Sequence, residues 1–388
     1  MTRVNQHTTL GKSDAGLSAR GDPTPIGSRP LRVAYVLPTR WEGNISLMGG
    51  GDRYVCTLAA AMAPHVDVTL VTFGPRIAEG TLFGVRHLVL PGMGTNPDNP
   101  IPTPALGRLA SFDLVHAYQF RCLVTSILAG LLRMAGTPLI VTDLGGGGRS
   151  LMNPARLYRL IPGFAALSAF SKSLLPVSVH QRCVVVKGGI ELERFQFHAA
   201  ARGRGVLQVG RIMPHKGMNY LVEAAGTDLD VTIAGRVIDR NYFRFLQEQA
   251  AGRRVRFVID PTDDEVTELY RKAAVTVVAS VYRDVFGVQH PTSELLGLPL
   301  LESMAVGTPV ICTQVGGMPE YMLDGKTGFI VTPNDPSTLR DRVLRLLDHP
   351  ALAAEMGRAG HRHVQQYGWT QVAERTLAAY ADLNLIQS

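Results

Sequence analysis

The chain has 388 residues, of which 46% are hydrophobic and 18% charged, so it can form two packed domains and is not a disordered chain. Its formal net charge is +7, and only six of the 39 basic residues are lysines. The arginines form no basic run, which argues against a nucleic-acid-binding arm. A positive cleft for a phosphate-bearing ligand and a simple arginine bias both account for the charge.

The first 30 residues are rich in Ser, Thr, Gly, Pro and Arg and contain no apolar core. This composition predicts a disordered arm (residues 1–30) rather than a secretory signal. Every apolar run is interrupted before it reaches membrane-spanning length, so no stable membrane association is expected. Four cysteines lie far apart with no CxxC pair, which argues against a disulfide framework and predicts a cytoplasmic location.

In the first half of the chain, strand-like and helical segments alternate. LRVAYVL (31–37) is followed by GGGD (49–52), which begins a helical pattern, and then by VDVTLVTF (66–73). FDLVHAY (112–118) and PLIVTDL (138–144) are further apolar runs. Continuous Val/Ile/Leu runs separated by helices predict a parallel sheet that is covered on both faces.

The same pattern restarts in the second half. Its five predicted strands are GVLQVGR (205–211), LDVTIAGR (229–236), RVRFVID (254–260), AVTVVAS (274–280) and TPVICT (308–313). We therefore predict two doubly wound α/β domains, residues 31–187 and 188–365, joined near VVVKGGIELERF (184–195). A ligand cleft is expected at the carboxyl ends of the strands.

SELLGLPLLE (293–302) places two carboxylates, Glu294 and Glu302, in an apolar stretch. Proline suits the first helical position, so a helix is predicted from Pro299 to Gly307 with Glu302 in its first turn. The free amides of such a helix bind a diphosphate, and the flanking carboxylates accept hydrogen bonds from sugar hydroxyls. A nucleotide sugar fits this arrangement. The alternative is that Glu302 only complements the helix dipole and Glu294 is a solvated loop acid.

VGRIMPHKG (209–217) brings two cations, Arg211 and Lys216, to the carboxyl end of the first strand of the second domain. A helix is predicted to begin beside them, at about Met218. Two cations at this position neutralise a diphosphate and stabilise it as a leaving group. The alternative is a surface loop with two ordinary cations.

Together these residues resemble the retaining glycosyltransferases of family 4. Arg211, Lys216, the E-x7-E pair and GLPLLESMAVGTPVICTQVGGMPEYMLDGKTGFIVTPND (297–335) carry the likeness in the second half. GGGD, FDLVHAY and VVVKGGIELERF carry a looser one in the first half. The resemblance implies the GT-B fold, in which two Rossmann-like doubly wound domains face a cleft. YGWTQVAERTLAAY (367–380) resembles the closing helix of the family, so residues 366–388 are expected to return to the first domain.

The resemblance also implies roles for individual residues. Arg211 and Lys216 hold the donor phosphates, Glu302 binds the ribose, and Glu294 binds the transferred sugar; Glu294, Lys216 and Arg211 are the expected catalytic residues. The other implied donor contacts are amides along the diphosphate and two residues beside the base: Gly50, Gly51, Gly297, Leu298, Leu300, Val258 and Ile259. No metal or cofactor is expected, and the donor is expected to be a UDP-sugar.

One position departs from the family pattern. Members often carry a histidine near the 6-hydroxyl of the donor sugar, whereas TDLGGGG (142–148) has Leu144 there. An apolar contact favours a donor without that hydroxyl, such as UDP-xylose. If the alignment is shifted by one residue, Asp143 makes the contact and the preference is reversed.

Several other features are given structural interpretations. DLD (228–230) reads as a turn rather than a metal site, and GGGGRS (145–150) lacks the spacing of a dinucleotide fingerprint. His116 reads as a hydrogen-bonded core or cleft-edge histidine. His215 and His290 read as solvated loop residues.

The acceptor is the least defined partner. Tyr118, Asp143 and Ser171 are candidate acceptor contacts, and the HPTSELLG variant loosely resembles antibiotic-pathway members that glycosylate aminocyclitols. A polycationic acceptor requires acids near the cleft, for which the candidates are Asp52, Asp143 and Asp284. The alternatives are a polysaccharide or lipid-linked acceptor, and a catalytically silent sugar-nucleotide-binding protein.

Overall fold

The computed structural model describes residues 29–40, 49–146, 148–199 and 202–386. The chain divides into two units, residues 1–30 and 31–388. Residues 1–28 of the predicted arm lie outside the described residues. Within the described ranges, no helix is both long and apolar enough to cross a membrane.

The first half of the second unit forms a mainly parallel sheet. Its strands are β1 (Arg32–Arg40), β2 (Asp67–Gly74), β3 (Ala78–Leu82), β4 (Val85–Met93), β5 (Ile101–Pro102), β6 (Leu114–Tyr118), β7 (Leu139–Thr142), β8 (Gly163–Ala166) and β9 (Cys183–Val185). The order is β3-β4-β2-β1-β6-β7-β8-β9, with β5 paired to β4. Only β3 and β5 run antiparallel to their partner, β4. The sequence predicted β1, β2, β6 and β7 but missed β3, β4, β5 and β8.

Helices cover this sheet on both faces. They are α1 (Gly50–Met62), α2 (Leu123–Ala135) and α3 (Ala169–Ser173), with short 3-10 helices at Pro104–Ser111, Leu157–Leu160 and Val177–Arg182. Apolar residues fill both faces of the central strands, as continuous Val/Leu/Ile runs require: Val33, Tyr35 and Leu37 pack in one cluster, and Ala34 and Val36 in another.

The second half forms a six-stranded parallel sheet. Its strands are β10 (Val206–Val209), β11 (Val231–Gly235), β12 (Val255–Ile259), β13 (Val275–Val278), β14 (Val310–Thr313) and β15 (Gly328–Val331). The order β12-β11-β10-β13-β14-β15 reverses direction between β10 and β13. In doubly wound sheets, ligands bind outside the carboxyl ends of the strands at such a switch point.

Seven helices follow the strands of the second sheet. They are α4 (Met218–Ala225), α5 (Arg240–Ala250), α6 (Asp263–Lys272), α7 (Leu298–Ala305), α8 (Pro336–Asp348), α9 (Pro350–Val364) and α10 (Trp369–Asp382), with 3-10 helices at Pro214–Lys216, Met318–Tyr321 and Gln365–Tyr367. The predicted helix start at Met218 is confirmed.

Helix α10 packs against the first half of the chain. The Trp369 ring lies 5.0 Å from the ring of Tyr54 in α1, and the Tyr380 hydroxyl lies 2.9 Å from that of Tyr35 in β1. The sequence-based expectation that the C-terminal helix returns to the first domain is confirmed, as is the fold of two parallel α/β sheets.

Candidate functional site

Helix α7 begins beside the switch point of the second sheet. Gly297 caps it in the left-handed region (φ 90°), which glycine adopts without steric cost, and Pro299 lies in its first turn. The helix starts at Leu298, one residue before the predicted start, so Glu302 is its fifth residue and not in the first turn. The Leu300 amide already donates to the Gly297 carbonyl (2.9 Å), which argues against the predicted contact between Leu300 and a diphosphate.

The first residues of α1 and α7 lie close together. A Cβ atom built on Gly50 would lie 3.8 Å from Leu298 Cδ1, and one built on Gly51 would lie 3.5 Å from Leu144 Cδ1. Each helix start offers backbone amides that no helical carbonyl can accept. Two helix N-termini that lie close together can provide a site for an anion.

Lys216, Glu294 and Ser280 meet at the carboxyl end of the second sheet. The Lys216 ammonium and the Ser280 hydroxyl (2.6 Å) both donate to Oε1 of Glu294, so neither occupies Oε2. Both charged side chains are largely buried, with 16% and 9% of their surfaces exposed. Burial alone would raise the pKa of Glu294, but the adjacent Lys216 charge and the two hydrogen bonds hold it below the ordinary value.

The backbone fixes Lys216 in this position. Gly217, which follows it, adopts φ 63°, and a Cβ there would lie only 1.9 Å from the Ala279 carbonyl oxygen. The Val281 amide donates to the His215 carbonyl (2.9 Å), and the Gln208 side chain donates to the Lys216 carbonyl (2.8 Å). The loop is therefore locked to the strand end rather than free on the surface, contrary to the alternative left open by the sequence.

Glu302 is partly buried on the inner side of α7 and accepts a hydrogen bond from the Tyr270 hydroxyl (2.8 Å) at Oε2. Burial raises the pKa of Glu302, and the Tyr270 hydrogen bond and the Arg194 charge only partly oppose this. Near it, Asp263 at the start of α6 pairs with Arg53 of α1 (2.6 Å) and with Arg194 (3.3 Å). The ion pair between Asp263 and Arg53 therefore connects α6, a helix of the second sheet, to α1, a helix of the first sheet.

Three other residues predicted to contact the donor, Arg211, Val258 and Ile259, are at least partly exposed. The Arg211 side chain is exposed and forms no hydrogen bond or ion pair with any described residue. Val258 and Ile259 end strand β12, two strands from the switch point; Val258 is half-buried and Ile259 is 41% exposed. These surfaces are open to a ligand at the carboxyl edge.

Two of the three residues predicted to contact the acceptor are buried. Tyr118 is completely buried and its hydroxyl lies 3.2 Å from His116 Nδ1, so it offers no surface to an acceptor. Ser171 is buried in the capping box of α3, with its hydroxyl bonded to Ser168. Asp143 remains partly accessible beside the cleft, with Oδ1 accepting from the Phe120 (3.4 Å) and Gly145 (3.3 Å) amides.

Three acids were predicted to contact a polycationic acceptor, and two of them, Asp284 and Asp52, are instead hydrogen-bonded within the protein. Asp284 is buried and accepts from the amides of Phe286 and Val288 and pairs with His290 (2.7 Å). Asp52 accepts from the Gly49 amide and the Thr39 hydroxyl at the start of α1.

The histidines also differ in part from expectation. His116 is a buried, hydrogen-bonded core residue, as predicted, with Thr142 and Tyr380 each 2.8 Å away. His290 is bonded to the buried Asp284 and is not a solvated loop residue. Burial, followed by the Lys216 charge, lowers the pKa of His215 to about 4, so this residue is not freely solvated either.

Sequence reasoning missed Ser280 and Tyr270, which hold the two carboxylates. Ser280 had a usable signal, because it is the polar residue that ends the apolar run AVTVVAS. Tyr270 had none, because its contact with Glu302 spans 32 residues and depends on how α6 packs against α7. Asp228 of the DLD sequence pairs with Arg340 (2.7 Å). Among the described residues, no group of His, Cys, Asp and Glu is arranged to hold a metal ion.

Comparisons with known proteins agree with this architecture. The sequence model described as "Glycosyltransferase Family 4" matches residues 48–194, and the one described as "Glycosyl transferases group 1" matches residues 189–363. A D-inositol 3-phosphate glycosyltransferase from Paenarthrobacter aurescens (strain TC1) is 32% identical over 402 residues, covering 86% of this chain and 93% of that protein. Another of the same name, from Streptomyces avermitilis, is 34% identical over 227 residues, and this chain spans about half of its length (46%).

Solved structures share the fold. Sucrose-phosphate synthase from Thermosynechococcus elongatus superimposes with a TM-score of 0.70 at 24% identity, covering 91% of this chain and 99% of that chain. HepE from Anabaena in complex with UDP gives a TM-score of 0.69 at 15% identity, covering 91% and 100%. At these identities the likeness shows the fold alone, which is the two-domain GT-B architecture.

Proposed function

Because this chain belongs to glycosyltransferase family 4, we propose that it transfers a sugar from a UDP-sugar to a hydroxyl of a small-molecule acceptor, with retention at the anomeric carbon. The proposal depends on the pairing of Lys216 with Glu294 and on the close approach of the first residues of α1 and α7. A cation, a carboxylate and free amides are the groups that a leaving diphosphate with a sugar attached requires.

The chemistry of each side chain assigns it to one part of the donor. The Lys216 ammonium has three protons, so it can keep its hydrogen bond to Glu294 and also donate to a phosphate oxygen. Arg211 supplies a second cation from the same loop. Oε2 of Glu294, which receives neither Lys216 nor Ser280, is available to accept from a sugar hydroxyl. Glu302 has Oε1 free of the Tyr270 bond and is assigned to the ribose hydroxyls.

The proposed step balances without a metal or another reactant. The bond from the anomeric carbon to the β-phosphate oxygen breaks, and a bond from that carbon to the acceptor oxygen forms on the same face. The acceptor proton passes to the departing phosphate oxygen. Lys216, Arg211 and the amides of α1 and α7 stabilise the charge that develops on the diphosphate.

We propose a cyclitol as the acceptor. The relatives named above act, by their names, on D-inositol 3-phosphate, which belongs to the same chemical class as the aminocyclitol expected from the sequence. The loops after β6 and β7 carry exposed Arg121 and Arg149 and one acid, Asp143, whose pKa burial raises against the opposing charge of Arg121. This balance favours an acceptor with an anionic group over a polycationic one. A polycationic aminocyclitol acceptor would require the opposite preference.

An assay of UDP release together with product mass tests the proposal. The protein is incubated with UDP-glucose, UDP-N-acetylglucosamine or UDP-xylose, and with inositol phosphate or an aminocyclitol. We expect UDP release that depends on the acceptor, and a product whose anomeric configuration by NMR matches that of the donor. No release from any donor, while UDP still binds, would instead support a silent sugar-nucleotide-binding protein. An inverted product would contradict the retaining mechanism.

A further inference from the structure

The positive charge of this protein is concentrated in one stretch of the first half. Residues 119–187 contain eight of the 39 basic residues and one of the 32 acidic residues, so this stretch carries a formal charge of +7 and the rest of the chain is balanced at 31 of each. The arginines are spaced along the sequence, and for that reason no basic run is visible in it. The fold collects some of them around a cavity.

That cavity has a volume of about 380 Å³, within the range of sites that bind small molecules. It is bounded by Leu139 and Pro162, which lie at the amino ends of β7 and β8, and by Leu385 after α10. The proposed donor site lies at the carboxyl ends of strands. The cavity is therefore at the opposite edge of the first sheet and is separate from the cleft.

Three arginines line the cavity: Arg133 in the last turn of α2, Arg159 in the 3-10 helix Leu157–Leu160, and Arg182 before β9. None of the described lining residues is acidic. The side chains of Arg133 and Arg159 are exposed and form no hydrogen bond or ion pair with a described residue. Three arginines that line one cavity without a carboxylate place like charges around it, and an anion in the cavity would relieve their repulsion.

Structural roles explain only part of this arrangement. Arg182 donates to the carbonyls of Tyr158 (3.2 Å) and Arg159 (3.4 Å), which fixes the loop that carries Arg159. Arg133 complements the negative end of the α2 dipole. Neither role accounts for Arg159, whose guanidinium has no partner among the described residues.

We propose that this cavity, the arginine pocket (Arg133, Arg159 and Arg182), is a second ligand site that binds a phosphate group. The planar guanidinium fork matches phosphate oxygens in a bidentate geometry, and the pocket has room for a phosphate with a small organic substituent. The phosphate belongs either to a free phosphate ester or to a lipid headgroup. Exposed Leu160 in the lining and Met134 beside Arg133 (86% exposed) would contact the apolar part of a lipid.

The test compares R133A/R159A with a matched control, R358A/R362A. The control also removes two exposed arginines, from α9 in the second half, so both variants lose the same charge. Arg182 is left unchanged because its contacts with the loop carbonyls are structural. Since all four side chains are exposed, both variants are expected to keep the melting temperature of the parent protein.

Calorimetric titration with inorganic pyrophosphate measures binding of a free phosphate ligand; it is done at constant ionic strength and with enough UDP to fill the proposed donor site, which also takes a diphosphate. Co-sedimentation with phosphatidylglycerol against phosphatidylcholine vesicles measures binding to a lipid headgroup. For whichever probe the parent binds, we expect R133A/R159A to weaken binding at least about tenfold and R358A/R362A to leave it nearly unchanged. Binding of pyrophosphate identifies a free phosphate ester as the source, and binding of anionic vesicles alone identifies a headgroup. The proposal is overturned if the parent binds neither probe, or if the two variants behave alike.

Discussion

Lys216 and Glu294, which are 78 residues apart in the sequence, form a largely buried ion pair in which the ammonium donates to Oε1 of the carboxylate. The switch point between β10 and β13 brings them together, because the loops after β10 and β13 leave the sheet side by side. The sequence assigned these residues to separate tasks, phosphate and sugar. The pair makes each residue depend on the other.

Replacing Lys216 with Met should lower both the stability of the protein and its turnover rate. The substitution leaves Glu294 buried without its cation, which costs about 3–5 kcal/mol for a broken buried pair. It should also lower turnover on the order of 100-fold through lost stabilisation of the leaving diphosphate. Urea unfolding and UDP release measure the two effects.

The double variant K216M/E294Q is the control. Removing both charges leaves no uncompensated buried carboxylate, so most of the lost stability should return while activity stays low. If the single and double variants are equally unstable, the ion pair is not the cause of the instability.

The two glutamates should separate donor binding from turnover. E302Q should weaken UDP binding about 10- to 100-fold, because a charged acceptor of the ribose hydroxyls becomes a neutral one. E294Q should lose less UDP affinity than E302Q and should mainly reduce turnover, since its direct contact is with the sugar and it affects the phosphates only through Lys216. Calorimetric titration measures the UDP affinity of both variants. Equal losses of UDP affinity would refute the assignment of Glu302 to the ribose and Glu294 to the sugar.

UDP affinity should also depend on pH through Glu302. Burial raises the pKa of this carboxyl above its ordinary 4.5, so it gains a proton at a higher pH than an exposed glutamate does. The ionised form is the better acceptor, and UDP binding should therefore weaken as the pH falls toward the raised pKa of Glu302. In E302Q this part of the pH dependence should disappear.

Much of the local structure at the proposed donor site was predictable from the sequence because it is encoded locally. Gly297 and Pro299 mark the start of a helix within a few residues, and Lys216 lies in the short loop after the buried strand β10. The acceptor side was not predictable in this way. Tyr118 ends an apolar strand and was predicted to contact the acceptor, but it is completely buried. Its hydroxyl lies 3.2 Å from His116 Nδ1, which in turn lies 2.8 Å from the hydroxyl of Tyr380 in α10, 264 positions from His116.

Gly51 and Gly217 should respond differently to alanine. A Cβ on Gly217 would lie 1.9 Å from the Ala279 carbonyl oxygen at a positive φ, so G217A should unfold more easily by about 1–3 kcal/mol or more. A Cβ on Gly51 would make only a normal 3.5 Å contact with Leu144, so G51A should fold normally. The added methyl would lie beside the proposed diphosphate site and should weaken UDP binding. Unchanged UDP affinity in G51A would contradict that location.

His116 should make stability fall in mild acid. Burial lowers its pKa from 6.5 to about 3, so between these values the unfolded chain binds a proton that the folded chain does not. Stability then rises with pH, by up to about 1.4 kcal/mol per unit, and is lost as the pH drops below the unfolded value. Urea unfolding from pH 7 to 4.5 should show a smaller slope for H116Q than for the parent. An identical slope would mean that His116 is not held neutral.

The last prediction concerns the donor sugar and rests on Leu144. This side chain lies against the start of α1, with Cδ1 3.5 Å from the Cβ position of Gly51, and it is partly buried among apolar residues. Asp143, the alternative contact, directs Oδ1 to the amides of Phe120 and Gly145 instead. With Leu144 as its neighbour, a hexose would bury its 6-hydroxyl without a partner, at about 1–3 kcal/mol, whereas xylose has no such group. Oδ2 of Asp143, which receives neither amide, is the group that would remove this cost.

We accordingly expect UDP-xylose to be used faster than UDP-glucose, and L144N, which restores a hydrogen-bonding side chain, to shift the ratio toward UDP-glucose. Initial rates of UDP release with both donors and a common acceptor measure the ratio in each protein. L144M, which keeps an apolar side chain of similar volume, is the control and should leave the ratio unchanged. If the parent uses UDP-glucose at least about tenfold faster, a preference worth about 1.4 kcal/mol, another group meets the 6-hydroxyl and the apolar-contact argument is wrong.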